Sequence, residues 1–170
     1  AKVFAGQCRL IELGFRQGGP AGYGLRRVLI DQAGQVKSEL SRGEHKSLQT
    51  DRVVLAPGPQ VEIDTVNQMF RWFINDGLVE SQIAGRLNGM RVKTDLDRDW
   101  TRATVHQVLT NEKYVGANVY NRISFKLKKL RVQNPPDMWI RRDDAFDPIV
   151  PPDIFYTAQG IIKASARRYT

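Results

Sequence analysis

The chain has 170 residues, of which 41% are hydrophobic, enough for one domain with its own core and a short appended arm. Its 26 Lys and Arg outnumber its 18 Asp and Glu, and the net charge of +8 makes nucleic acid the first candidate partner. One cysteine excludes an internal disulfide, two histidines exclude a Cys/His zinc site, and no apolar run approaches the ~20 residues of a membrane span. We expect no metal, no cofactor, no membrane partner and a cytoplasmic location.

The first predicted element is a helix over 2–13, which Gly14 ends because glycine adopts the left-handed conformation at little cost. The chain starts without Met or an apolar signal region, so we expect this helix to continue one that begins upstream in a longer protein. The glycine-rich segment, 15–24, has four glycines and one proline, which exclude a helix or a central strand. We therefore divide the chain into an arm, 1–22, and a domain, 23–170.

Three short β-strands are predicted next. They cover Leu25–Ile30, Val36–Leu40 and Arg52–Leu55. A turn with Gly34 follows the first strand, and a turn with Gly43 follows the second. The prolines at 57 and 59 then end the strand region.

Three helices follow, and together they predict a helix-turn-helix-like core. The first ends at 75–77, the second covers about 81–88, and the third begins after Thr101, a favourable N-cap. The first helix has apolar residues at i, i+3, i+4, i+7 and i+8: Val66, Met69, Phe70, Phe73 and Ile74. The inward residues of the other two are Ile83, Ala84, Leu87, Val105, Val108 and Leu109.

The C-terminal part adds two partner strands and a helix. The strands are predicted over 117–122 and 139–142, and the helix over about 153–166. Between Lys113 and Pro136 there are six basic residues and no acidic one, and part of this run, 122–131, is predicted as a hairpin. The predicted fold is a small α+β domain with short strands and hairpins around the three-helix core.

The third helix carries a polar outer stripe. Gln and Arg side chains can make bidentate contacts with bases in the major groove, and Thr can meet a thymine methyl. Its residues are Arg102, Ala103, His106, Gln107 and Thr110. An ordinary solvated helix face is the alternative interpretation.

The other motifs are weaker. The glycine-rich segment lacks the Gly-Lys-Ser/Thr ending of a phosphate loop, and it is predicted to be a flexible linker or an arm thin enough for a minor groove. Asp95, Asp97 and Asp99 resemble the start of a calcium loop, but the later Gly and Glu positions of an EF-hand hold Trp100 and His106. Cys8 has no histidine near it in sequence and is predicted to be a small buried or interface residue.

Several motifs in their order and spacing resemble the recombinase domain of the large serine recombinases, found in phage integrases and transposon resolvases. They are Gly18-Gly19-Pro20-Ala21-Gly22-Tyr23-Gly24, Met69-Phe70, Gly77-Leu78, Ile83-Ala84-x-x-Leu87-Asn88, Trp100-Thr101-x-x-Thr104-Val105-x-x-Val108-Leu109-x-Asn111, Tyr114-Val115-Gly116 and Val119-Tyr120-Asn121-Arg122. The resemblance implies that this chain binds double-stranded DNA at an attachment half-site of a mobile element. It also implies that a catalytic domain carrying the nucleophilic serine and a zinc-ribbon domain belong to the full-length protein, so no catalytic residue is expected here.

Three functions remain open from the residues. The first is a DNA-binding domain, the second is a protein–protein module that positions synaptic partners, and the third is an autonomous nuclease. The nuclease is the weakest of the three, because the carboxylates in this sequence form no paired set with a nearby base. On the first interpretation the predicted DNA contacts are Arg16, Gly18, Gly19, Gly22, Tyr23, Arg26, Arg27, Arg102, Ala103, His106, Gln107, Thr110, Arg122, Lys126, Lys128, Lys129 and Arg131. The basic hairpin residues among them would hold phosphates and carry no sequence information.

Overall fold

A computed structural model describes residues 2–126 and 130–168 of the chain. The helices are α1 (Lys2–Glu12), α2 (Gln60–Ile74), α3 (Glu80–Gly89), α4 (Arg102–Thr110) and α5 (Pro152–Arg167), with short 3-10 helices at Glu112–Val115 and Pro136–Met138. The strands are β1 (Leu25–Ile30), β2 (Val36–Leu40), β3 (Arg52–Pro57), β4 (Asn118–Tyr120), β5 (Ile123–Lys126), β6 (Leu130–Gln133) and β7 (Ile140–Arg142). The predicted α+β class is confirmed.

Contacts within the described residues divide the chain into two units. The strand unit draws on Ala1–Pro20, Arg27–Ala56 and Gly116–Asp147, and the helical unit draws on Ala21–Arg26, Pro57–Val115 and Pro148–Thr170. Each unit is therefore built from three separate stretches of sequence. The expected division into an arm, 1–22, and a domain, 23–170, stays a prediction.

Within the described residues, the strand unit contains three small sheets, with antiparallel pairing between β1 and β2, between β4 and β7, and between β5 and β6. The first has the order β2-β1-β3, and its register pairs Arg27 with Leu40 and Val28 with Glu39. The second pairs β4 with β7, as the sequence predicts, and α1 packs against both strands. β4 is shorter than the predicted strand 117–122 because Asn121 adopts a left-handed conformation, with φ of 60°, which ends the extended backbone.

The helical unit contains α2, α3, α4 and α5 around one apolar core. α3 packs against α4, and α5 packs against α2 and α4. Its completely buried side chains include Val66, Met69, Phe70, Ile83, Leu87, Val105, Leu109, Tyr114, Val150 and Phe155. The predicted inward residues of α3 and α4 are all buried.

The core side of α2 differs from the prediction at its C-terminal end. Val66, Met69 and Phe70 are buried as predicted, but Phe73 and Ile74 are only half-buried and Trp72 is buried instead. The indole ring of Trp72 is also covered by the Arg86 guanidinium, 5.5 Å from the ring centre. The prediction of Phe73 as a central core residue was therefore wrong, because Trp72, which contacts Arg86 of α3, is the residue that is buried in the last turn of α2.

Gly24 is a position where the fold requires glycine. Its φ is +84°, and a Cβ there would lie 3.0 Å from Ile149 Cδ1 and 3.1 Å from Val66 Cγ2. The Gly24 carbonyl accepts a hydrogen bond from the Gly58 N–H at 2.8 Å. A side chain at this position would be strained and would also crowd the side chains of Val66 and Ile149.

Candidate nucleic-acid interface

The turn between α3 and α4 is held by one asparagine. The Asn88 side chain donates from Nδ2 to the Trp100 carbonyl at 2.9 Å and accepts from the Trp100 N–H at 2.8 Å. Thr101 then caps α4 as predicted: its hydroxyl accepts from the Thr104 N–H at 3.3 Å, and the Thr104 hydroxyl accepts from the Thr101 N–H at 2.8 Å. These bonds fix where α4 begins relative to the end of α3.

The predicted outer stripe of α4 lies on its solvent side. Arg102, Ala103, His106 and Gln107 are exposed, whereas Thr110 is half-buried and donates its hydroxyl to the His106 carbonyl at 2.7 Å. The opposite side of α4 is buried in the core. The helix therefore presents a polar surface with a guanidinium, an imidazole and an amide.

Glu80, the first residue of α3, contacts this surface, and the sequence analysis did not identify it. Its carboxylate lies 2.5 Å from His106 Nδ1 and 3.4 Å from Arg102 Nε, and its side chain is only 13% exposed. A carboxylate suits the first turn of a helix because it faces the positive end of the helix dipole. Only the packing of α3 against α4 brings it to Arg102 and His106, which lie more than twenty residues away in sequence.

The first half of the glycine-rich segment belongs to the strand unit. The Arg16 N–H donates to the Val53 carbonyl at 2.7 Å, and its side chain is half-buried. Burial lowers the pKa of the Arg16 guanidinium, and the nearby positive charge of Arg27 lowers that pKa further. Gly18 and Gly19 are exposed and left-handed, with φ of +66° and +74°.

The second half of the segment is packed into the helical unit. The Tyr23 ring is buried and meets the Trp100 ring edge-on, with the ring centres 5.0 Å apart. Gly22 lies against Lys113, whose Nζ would clash with a Cβ at that position. Arg26 forms an ion pair with Glu62 at 2.8 Å. Among the predicted contacts, Tyr23 and Arg26 therefore already have partners inside the unit.

The predicted basic hairpin is formed by β5 and β6. Arg122 stacks on the Trp139 ring at 4.8 Å, and Arg131 is exposed opposite Phe125. Phe125 and Leu130 are each 64% exposed, an apolar contribution that the charge pattern did not predict. Lys126 ends β5, while Lys128 and Lys129 lie outside the described residues.

Arg27 joins β1 to the turn after β2. Its guanidinium donates to the Ser41 carbonyl at 2.5 Å, within the strand unit. The predicted site residues thus fall into three groups on two units. In the α4 group, Arg102 and His106 are drawn together by a shared partner, Glu80.

Two further findings bear on function. In the part of the chain that the structure describes, no helix has the length and apolar character needed to cross a membrane. Across residues 2–126 and 130–168, there is no group of three or more His, Cys, Asp or Glu side chains that could hold a metal ion.

Comparison with known proteins gives one family and several similar solved structures. The family model described as Recombinase matches residues 60–165, more than half of the chain. One similar solved structure is described as a crystal structure of an LSR–DNA complex, with 17% identity and a TM-score of 0.54. Another carries the description "Sequence Requirements of the Listeria innocua prophage attP site", with 16% identity and a TM-score of 0.55.

The two solved chains are longer than this chain. Each structural match covers 96% of this chain, but only 39% of the first solved chain and 52% of the second, so this chain spans about half or less of their length. No curated protein matches the chain. At such low identity the two structures show a shared fold, and the family model supplies the classification. The chain belongs to the Recombinase family, and its resemblance to the recombinase domain of the large serine recombinases is confirmed.

Proposed function

We propose that this chain is a DNA-binding domain of a site-specific serine recombinase and that it recognises one attachment half-site of a mobile element. The observation that carries the proposal is the exposed polar side of α4, which follows α3 through a fixed turn in the manner of a helix-turn-helix. The net charge of +8 suits a polyanionic partner. Both similar solved structures carry descriptions that concern DNA.

On this proposal the three groups of site residues have different tasks. Gln107 and Arg102 on α4 are suited to base edges in the major groove, where all four base pairs are distinguishable. Arg16 and the exposed Gly18 and Gly19 would follow the minor groove. Gly22, Tyr23, Arg26 and Arg27 are the other predicted contacts of this group, of which Tyr23 and Arg26 already have partners within the helical unit. The basic hairpin residues, Arg122, Lys126, Lys128, Lys129 and Arg131, would hold phosphates.

The whole recombination reaction needs parts that this chain does not supply. We propose a parent protein in which a catalytic domain provides the nucleophilic serine and a zinc-ribbon domain makes further DNA contacts. The role of this domain would be to place that catalytic machinery on the correct half-site, for integration, excision or transposition.

A salt titration of duplex binding tests the proposal. If about six phosphates are contacted, log K against log salt should have a slope near −5, at ~0.9 per phosphate. Fluorescence anisotropy of a labelled duplex measures this with the 170-residue chain. No binding at low salt, or a slope near zero, would remove the DNA-binding function.

One observation favours a second candidate function, a protein–protein module that positions synaptic partners without reading bases. Phe125 and Leu130 expose apolar surface on the hairpin, and exposed apolar side chains of this size are more typical of protein contacts than of phosphate contacts. Sedimentation of the chain alone and of a Phe125→Ser variant would detect such contacts as concentration-dependent association that the substitution abolishes. Without such association, or with association that Phe125→Ser leaves unchanged, this second candidate function would lose its support.

A further inference from the structure

Glu80 is an acidic side chain at the centre of a surface that is otherwise polar or basic. Its carboxylate is largely shielded from solvent, with 13% of the side chain exposed, whereas the side chains of its partners His106 and Arg102 are 49% and 80% exposed. It therefore lies beneath the two side chains and holds each of them from the protein side. This arrangement rests on two contacts to one carboxylate, one to each oxygen.

The contact with the imidazole fixes which ring nitrogen carries hydrogen. An ionised carboxylate only accepts hydrogen bonds, so His106 Nδ1 must be the donor in this pair. In the neutral ring the other nitrogen, Nε2, is then an acceptor. An acceptor can bind the amino group of adenine or cytosine in the major groove, but not the N7 and O6 acceptors of guanine.

The contact with the guanidinium restricts Arg102 in a similar way. Nε is used by Glu80, and within the described ranges the terminal amino groups of Arg102 have no protein partner. Those groups are the ones that bind guanine O6 and N7. The pairing thus leaves the base-reading atoms of Arg102 available while it limits the positions that the side chain can adopt.

We propose that Glu80 is a specificity-determining positioning residue: it sets the tautomer of His106 and the position of Arg102, and so determines which bases α4 prefers. This inference rests on the proposed DNA-binding function. A second effect follows from charge. A carboxylate at this surface repels phosphates, so it weakens sequence-independent binding while it sharpens the preference among sequences.

Two substitutions separate these effects. Glu80→Gln removes the charge but keeps a carbonyl oxygen that can accept from His106 Nδ1, whereas Glu80→Ala removes both. Asp76→Ala is the control, because it removes one carboxylate from the same unit, from an exposed ion pair with Arg86 at 4.0 Å. Each chain is examined by ¹⁵N NMR of the imidazole, by thermal unfolding, by binding to an unrelated duplex, and by selection of bound sequences from a random pool.

We expect wild type, Asp76→Ala and Glu80→Gln to show hydrogen on His106 Nδ1, and Glu80→Ala to shift it toward Nε2. Both Glu80 variants should bind the unrelated duplex more tightly than the control variant does. Only Glu80→Ala should relax the selected sequence at one or two positions, by about five- to hundredfold for each lost contact. A variant that loses sequence preference only in proportion to lost thermal stability would show a structural role and overturn the inference.

The failures are distinguishable. Hydrogen on Nε2 in the wild-type ring overturns the positioning role, whether or not the chain binds DNA. The expected tautomers with an unchanged selected sequence in Glu80→Ala overturn the specificity role alone. A wild-type chain that binds no duplex overturns the proposed function and the specificity role together, and the NMR result then decides the positioning role by itself.

Discussion

The hydroxyl group of Tyr114 donates a hydrogen bond of 2.8 Å to the backbone carbonyl of Tyr23, 91 residues earlier in the chain. Tyr114 is 2% exposed and lies in the short 3-10 helix after α4. Tyr23 lies in the glycine-rich segment, so this bond fixes the end of that segment within the helical unit. It also makes the stability of the unit sensitive to alkali.

We expect stability to fall above about pH 10 and Tyr114→Phe to reduce that fall. Burial raises the pKa of Tyr114 well above its ordinary value, with smaller contributions from nearby acidic groups. The unfolded chain therefore loses this proton at a lower pH than the folded chain. The corresponding stability is complete below pH 10 and is lost above it, at ~1.4 kcal/mol per pH unit for one tyrosine. Urea unfolding between pH 8 and 11 measures the slope.

Tyr156→Phe is the matched control for this experiment, because Tyr156 is 51% exposed on α5. It should leave both the slope and the stability near neutral pH unchanged. Tyr114→Phe should also cost ~0.5–1.5 kcal/mol near neutral pH, for the lost hydrogen bond. Equal alkaline slopes in the two variants would show that Tyr114 ionises normally in the folded chain.

Asn88→Ala should destabilise the helical unit by about 1–3 kcal/mol, because it leaves the Trp100 N–H and carbonyl without their partners. Asn88→Asp keeps an acceptor for the N–H but sets an oxygen against the carbonyl, so we expect it to restore only part of the loss. Chemical denaturation measures both variants. Wild-type stability in Asn88→Ala would mean that water replaces the side chain without cost.

Trp72→Ala should cost more than Phe73→Ala. Trp72 is 9% exposed, whereas Phe73 is only half-buried. Truncation of a buried aromatic side chain typically costs ~3–5 kcal/mol, and the cost falls with the fraction that remains in water. Thermal unfolding of the two variants gives the order, and a larger loss for Phe73→Ala would show that the sequence periodicity had located the core correctly.

The comparison of Trp72 with Phe73 shows what the sequence could and could not predict. Local signals were sufficient where one residue decides the structure: Thr101 caps α4, and apolar spacing identifies the buried sides of α3 and α4. They failed where packing decides, as at the last turn of α2. Glu80 is the clearest case, because its contacts join residues 22 and 26 positions apart, and no spacing within one helix encodes that distance.

The final prediction concerns how the proposed DNA contacts divide between affinity and sequence preference. Gln107 is exposed on α4, so Gln107→Ala should relax the preference at one or two base pairs, by ~1–3 kcal/mol for a lost bidentate contact. Arg16 adjoins the exposed Gly18 and Gly19, and in a minor groove it would meet mainly the distinction between A·T and G·C pairs. Arg16→Ala should therefore weaken binding to most sequences by similar factors.

Selection of bound sequences for each variant measures this division, with Gln68→Ala on α2 as the control for loss of a glutamine outside the proposed interface. Because Arg16 is half-buried and bonded through its backbone to Val53, its variant also needs a thermal unfolding measurement. If Gln107→Ala keeps the selected sequence and Arg16→Ala erases it without loss of stability, α4 is not the reading element. The glycine-rich segment or the β5–β6 hairpin would then carry the sequence preference, since these are the other two groups of candidate contacts.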